Sequence, residues 1–210
     1  APPGGGGGRT RLRVTGGLKF EGAFKDEEGG GAGASGRSFE GDLAADGLRL
    51  NALPLARALA GRVSASPHRL VVSARGGRPD EALDLDVALP VGGVRARAPV
   101  DAPPAPGARL SLRCGKLAAN AEASADWATV SADVRGLSLD ELELASLRGT
   151  LDEATLAADL GRRLGTAKLA MTAPRFSGLA GVSAGAALRW ERDVVRLERG
   201  TLVQAASRYE

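Results

Sequence analysis

The chain has 210 residues, a formal net charge of +3, 43% apolar residues and 25% charged residues. These proportions suit a folded chain and exclude a disordered polyelectrolyte, and no run of 18 residues lacks a charge, which excludes a membrane-crossing helix. One cysteine, Cys114, and one histidine, His68, exclude an internal disulfide framework, a multi-cysteine zinc site and most triad chemistry.

Taken in chain order, the sequence opens on Ala1–Gly8 (APPGGGGG), a tract that cannot bury surface. It has no signal-peptide pattern, and the expectation is an excerpt of something longer, with any anchor outside it. Lys25–Gly36 (KDEEGGGAGASG) reads as a charged, glycine-rich loop. Its GAGASG matches the spacing of a dinucleotide-binding loop, but an acidic loop precedes it and RSFE follows, so the strand–turn–helix context is missing. Asn51–Gly61 (NALPLARALAG) has Pro54 early, Gly61 late, and Leu55 and Leu59 four apart; this spacing predicts a short helix. His68 follows Pro67 in a turn, with no nucleophile identifiable around it.

Leu83–Leu89 alternates Leu83, Leu85, Val87 and Leu89 against Asp84 and Asp86, which marks a strand with one dry and one wet face. The paired carboxylates therefore belong to a solvated face and do not converge on a pocket. Four prolines in Ala98–Gly107 forbid a central strand. The expected division is a glycine-rich flexible segment with the first strand or strands over 1–36, a β segment over 37–98, a proline-rich linker over 99–107 and a second β segment over 108–210.

In that second segment Leu110–Cys114 places Cys114 with Leu110 and Leu112, as a small apolar residue. Ala128, Val130, Ala132 and Val134 form another strand. Ser138 with Glu141, and Thr150 with Glu153, have capping-box spacing. Leu137 and Leu139, then Leu142 and Leu144, instead keep period 2 with a one-residue slip, and strands with a bulge are the favoured reading. Ala167, Leu169 and Met171 alternate. So do Val182, Ala184, Ala186, Leu188 and Trp190, opposite Arg189 and Glu191. Val195, Leu197 and Val203 continue the habit toward the final run, Thr201–Tyr209.

The class is all-β: an elongated, folded sheet of about ten strands with at most one or two short helices. Two Trp, one Tyr and four Phe are few for a sandwich core, so small aliphatic residues are expected to line a shallow, partly open groove. Twenty-eight basic residues, of which only Lys19, Lys25, Lys116 and Lys168 are lysine, raise nucleic acid as a ligand. Acidic residues are interspersed almost throughout, and short basic stripes such as Arg9, Arg11 and Arg13, or Arg95 and Arg97, lack stacking aromatics, so nucleic acid is excluded.

Three segments carry a resemblance. Gly47–Gly61 (GLRLNALPLARALAG) resembles the G-L-x-L-x-x-L-P-L repeat of the AsmA/TamB superfamily. Val134–Thr150, together with Pro174–Gly178 (PRFSG), Ala187–Gly200 (ALRWERDVVRLERG) and Leu202–Glu210, resembles in order the TamB-like subunits of the chloroplast inner-envelope translocon. The arginine-for-lysine bias would fit a GC-rich green-algal genome.

The resemblance implies a taco-shaped trough, apolar inside and polar outside. It also implies a protein anchored in the inner envelope by a segment outside this sequence and reaching across the intermembrane space. Its partners would be the outer-envelope β-barrel channel with its POTRA domains, other subunits of both translocons, and translocating preproteins. Bacterial relatives imply an alternative: a lipid conduit or an outer-membrane protein assembly factor. No enzymatic role, metal or cofactor is expected. The expected groove residues are Val182, Ala184, Ala186, Leu188 and Trp190, and the expected partner-facing edge comprises Thr201, Val203, Ala205 and Tyr209.

Overall fold

A computed structural model describes residues 12–27, 36–89, 107–144, 146–176, 178–205 and 207–209. Among them there are fourteen strands and no helix. They are β1 Val14–Glu27, β2 Gly36–Leu50, β3 Leu53–Ser66, β4 Arg69–Gly76, β5 Ala82–Ala88, β6 Ala108–Cys114 and β7 Leu117–Ala123. Then follow β8 Thr129–Ser138, β9 Leu147–Asp159, β10 Leu164–Phe176, β11 Leu179–Ala180, β12 Ser183–Glu191, β13 Val194–Gln204 and β14 Ser207–Tyr209. They form one open antiparallel sheet in sequence order, with the two-residue β11 paired off the main path to β10.

The order follows from the turns. The β2–β3, β3–β4, β4–β5, β6–β7, β7–β8, β9–β10 and β12–β13 connections are short and return the chain beside itself, and pairing throughout is between near neighbours in sequence with no crossover. The 99–106 part of the proline-rich stretch lies outside the described residues. The strands flanking it, β5 and β6, are hydrogen-bonded neighbours in the same sheet.

Register then sorts the side chains. One row crosses the sheet through Val63, Val72, Leu85 and Leu110 on β3 to β6. It continues through Ala121, Ala132, Leu156, Ala167, Leu188 and Leu197 on β7 to β13. Ten strands contribute only apolar side chains, because period-2 alternation is kept in phase from hairpin to hairpin. One step along the strands, the row is Asp42, Arg62, Ser73, Asp84, Ser111, Asn120 and Asp133, on the opposite face. That polar face is laced by cross-strand pairs: Arg69–Asp86 at 2.6 Å, Arg75–Asp84 at 2.9 Å, Arg109–Glu122 at 3.1 Å and Arg135–Glu153 at 3.4 Å. All are exposed, so each contributes about 0–1 kcal/mol and mainly opposes a register slip.

The meander also creates two rims. The first carries the β2–β3, β4–β5, β6–β7 and β8–β9 connections; the second carries the β3–β4, β7–β8, β9–β10 and β12–β13 connections. The buried residues gather toward the first rim. One cluster joins Leu43, Ala45, Ala56, Leu59 and Ala74; the other joins Leu53, Leu117, Leu139, Leu142 and Met171. No large side chain is completely buried among the described residues. Where the strands approach closely, Gly61 is required: a Cβ there would sit 1.9 Å from the Ser73 carbonyl oxygen.

Two expectations need correction. Asn51–Gly61 is not a helix: Asn51 and Ala52 form a turn and Leu53 begins β3. The register with β2 shifts between Leu48 and Arg49, leaving Leu55 as an extra residue on β3. That bulge accounts for the three-residue step from Leu53 to Ala56; the buried positions on β3 are Leu53, Ala56, Leu59 and Val63. Spacings of three and four in a bulged strand imitate a helical face. Ser138–Arg148 is not a continuous bulged strand either. β8 ends at Ser138, Leu139–Glu143 is a turn, and β9 begins at Leu147. Thr150–Asp159 is strand, as the alternation predicts.

Candidate functional site

The feature with functional potential is the apolar face and its two differently built rims. At the first rim the β8–β9 turn folds onto the β2–β3 turn about 90 residues earlier. Asn51 adopts φ +55°, which Asn tolerates better than most residues. This conformation lets its backbone and side chain bind three ways. Its N–H donates to the Arg13 carbonyl at 2.8 Å, its Oδ1 accepts the Arg13 N–H at 2.8 Å, and its Nδ2 donates to the Leu142 carbonyl. Ala52 N–H donates to the Glu141 carbonyl at 3.0 Å, and Arg49 Nη2 donates to the Ala52 carbonyl at 2.8 Å. The clasp seats Leu139 and Leu142 against Leu53, Leu117 and Met171. The trough is therefore filled by its own chain along this rim.

Beside the clasp, Glu81 is buried, its Oε1 accepting the Arg57 N–H at 3.4 Å. Cys114 is half-buried, with Sγ 3.6 Å from the Pro54 carbonyl oxygen. Burial pushes its thiol pKa up, and Glu81 and Asp80 push it the same way, so the group is a poor nucleophile. Among the described residues no cluster of His, Cys, Asp or Glu could hold a metal ion.

Toward the second rim the same face is open. A depression of about 300 Å³ is lined by Leu85, Val87, Leu110, Ala121, Val130 and Leu156, with Trp127 at its mouth. Trp127, 43% exposed, sits at φ +58° in a tight turn. Ser124 N–H donates to the Thr129 carbonyl, Thr129 N–H donates back to Ser124 Oγ at 3.0 Å, and Asp126 Oδ1 accepts from Ser124 Oγ at 2.6 Å. The hydroxyl bond, reinforced by the Ala128 N–H, holds the Asp126 carboxyl below the usual aspartate range.

The expected groove residues continue this open face. Ala184 lies between Met171 and Leu202, Ala186 between Leu169 and Gly200, Leu188 between Ala167 and Leu197, and Trp190 between Gly165 and Val195. Trp190 rests over Gly165, where a Cβ would meet its ring at 3.1 Å, and its Nε1 donates to the Arg192 carbonyl. Val182 precedes β12, on the first rim, and is 56% exposed. Of the expected edge residues, Thr201 and Val203 are on β13, facing Gly185 and Ser183 of β12. Ala205 is in the following turn, and Tyr209 of β14 pairs with Leu202. β14 covers only Leu202–Gln204, so β13 from Val194 to Thr201 has no second neighbour among the described residues. At the other end β1 is an edge strand whose Leu18, Phe20 and Phe24 are all more than half exposed.

The sequence alone did not point to the clasp, because Asn51 and Leu142 are distant along the chain. The only local sign of it was a leucine-rich run between strand signals.

A meandering sheet with one continuous apolar face, closed along one rim and open along the other, defines a TamB-like trough. Over 96% of its length the chain is 34% identical to Protein TIC236, chloroplastic, of Arabidopsis thaliana. Over 81% it is 38% identical to Protein SUBSTANDARD STARCH GRAIN 4, chloroplastic, of Oryza sativa subsp. japonica. It thus belongs to the TamB-like family of chloroplast proteins. It spans 10% and 8% of these relatives, respectively. No family model matches the chain, and no solved structure matches it.

Proposed function

We propose that the chain is a non-catalytic segment of a chloroplast envelope scaffold, one stretch of a long folded sheet that bridges the outer and inner translocons across the intermembrane space during preprotein import. The observation that carries this reading is the match to the chloroplast protein TIC236 along almost the whole chain. The build suits a spacer. Hairpins added edge to edge lengthen a sheet without new topology, and the clasped rim fixes its curl. The partners are the outer channel's POTRA domains and other subunits of the two translocons. An extended strand from such a partner could pair with an open edge such as β1 or β13. Co-precipitation of the chain with those POTRA domains at low and moderate salt tests the reading. Association is expected, and none under either condition overturns it.

A second reading, a lipid conduit, is favoured by the apolar depression beside Trp127 and the open row ending at Leu188 and Trp190. The clasped rim limits it, since Leu139 and Leu142 occupy space an acyl chain would need. Native mass spectrometry of the purified chain is its test: co-purified lipid supports it and a lipid-free spectrum overturns it.

A further inference from the structure

The polar face changes character across the sheet. Between β4 and β9 four arginines are matched across strands by carboxylates: Arg69–Asp86, Arg75–Asp84, Arg109–Glu122 and Arg135–Glu153. On β10, β12 and β13 the match fails. Register places Arg189 directly opposite Arg196, and Arg199 two rungs away in the row of Ala187 and Lys168. All four cations are exposed, and none makes an ion pair among the described residues. The nearby carboxylates leave them unmatched. Glu191 stands at the hairpin tip, and Glu198 is the extra residue of a bulge between the Ala187 and Leu188 rungs. Like charges directly opposite on neighbouring strands destabilise a sheet. A cluster of four such cations at one end of a face laced elsewhere by cross-strand ion pairs marks a surface suited to an outside anion.

We propose that this end of the polar face, centred on Arg189, Arg196 and Arg199, docks an acidic polypeptide segment of a partner. Two features select a polypeptide over a membrane. The cations stand among small side chains, Ala170, Gly185 and Ala187, which leave a flat floor for an extended backbone. A membrane-surface element would set several large apolar residues beside its cations, whereas here the exposed Val195 and Leu197 belong to the other face and Val194 shares the cations' face at the hairpin tip, opposite Glu191. Three of the four cations are arginine, whose planar fork takes a carboxylate through two hydrogen bonds. The inference stands on the charge pattern and does not require the bridging role.

The test uses the full chain and a fluorescein-labelled peptide of about 12 residues alternating glutamate and serine, followed by anisotropy. The glutamate peptide is expected to bind and its lysine counterpart not to. Binding should weaken about tenfold between about 50 and about 300 mM NaCl, because exposed charges are screened. Arg196→Glu should weaken it at least about tenfold while the variant melts no lower than the parent, since the new carboxylate faces Arg189. Arg135→Ala, in the charge-matched region, should change binding less than about twofold. Equal binding by the parent, Arg196→Glu and Arg199→Glu chains overturns the proposal. Flotation with phosphatidylglycerol vesicles that is lost in Arg196→Glu, without peptide binding, also overturns it in favour of a membrane. A chain that binds the peptide yet fails to capture POTRA domains keeps this proposal and loses the bridging one.

Discussion

The two rims of the trough are made from the same kinds of residue and end in opposite states. At the first rim a five-residue turn folds inward, and Leu139 and Leu142 are 5% and 7% exposed. At the second rim the β7–β8 turn borders the depression without closing it, leaving Trp127 at 43% and Leu156 at 44%. What differs is the partner available. The first rim offers Asn51, whose turn conformation presents donors to the incoming loop, and the second rim has no equivalent among the described residues. Hydrophobicity alone therefore does not decide which part of an apolar face is covered. Backbone groups that can be satisfied only by closing decide it.

The largest expected effect breaks this contrast directly. Leu142→Ala should cost about 2–4 kcal/mol, as for a buried leucine whose site cannot collapse. Leu197→Ala, at a position 63% exposed on the same face, should stay within about 0.5 kcal/mol. Urea denaturation of both variants checks this, and similar midpoints would mean that the rims are equivalent. Next comes the clasp itself. Asn51→Ala removes the side-chain bonds to Arg13 and Leu142 and places a less tolerant residue at φ +55°; a loss of about 2 kcal/mol is expected. Asn51→Gly removes the same bonds but accepts the backbone, so it should lose less. Hydrogen exchange at Ala52 should accelerate in both. If exchange there is unchanged, the side chain is not what holds the rim shut.

Much of the fold was legible because alternation is a local signal. Leu83–Leu89, Leu110–Cys114 and Val182–Trp190 each show it unaided, and hairpin turns dictate the order of strands. Legibility ended where a strand loses its phase. Around Leu55 one extra residue turned period 2 into spacings of three and four, and the run resembled a short helix. It ended again at Leu139 and Leu142, which are buried by a turn that meets residues far away in sequence. The charge mismatch on β12 and β13 was equally hidden. Arg189 and Arg196 are ordinary alternating polar positions until register sets them face to face.

That mismatch gives a smaller effect. Arg196→Glu should raise stability by about 0.5 kcal/mol by replacing a like pair with an opposite one. No gain in the thermal midpoint at low salt would mean that Arg189 and Arg196 already avoid each other.

The smallest effect sharpens the contrast from the open side. Asp126 holds the turn that carries Trp127, and its carboxyl pKa is lowered, first by the Ser124 hydroxyl and then by the Ala128 N–H. A carboxyl whose folded pKa lies below its unfolded value stabilises the folded form fully above the unfolded value, and that contribution is lost as pH falls through the folded one. The turn should therefore loosen only in acid more extreme than the ordinary aspartate range. With Trp190→Phe as background, Trp127 is the remaining tryptophan and reports on the turn. Its emission should shift with an acid midpoint below that of a free aspartate, and Asp126→Asn should remove the midpoint without unfolding the first rim, where Asn51 and Ala52 bond the backbone of Arg13, Leu142 and Glu141. An emission change that tracks global unfolding would instead show that the two rims open together and that the trough has a single, shared stability.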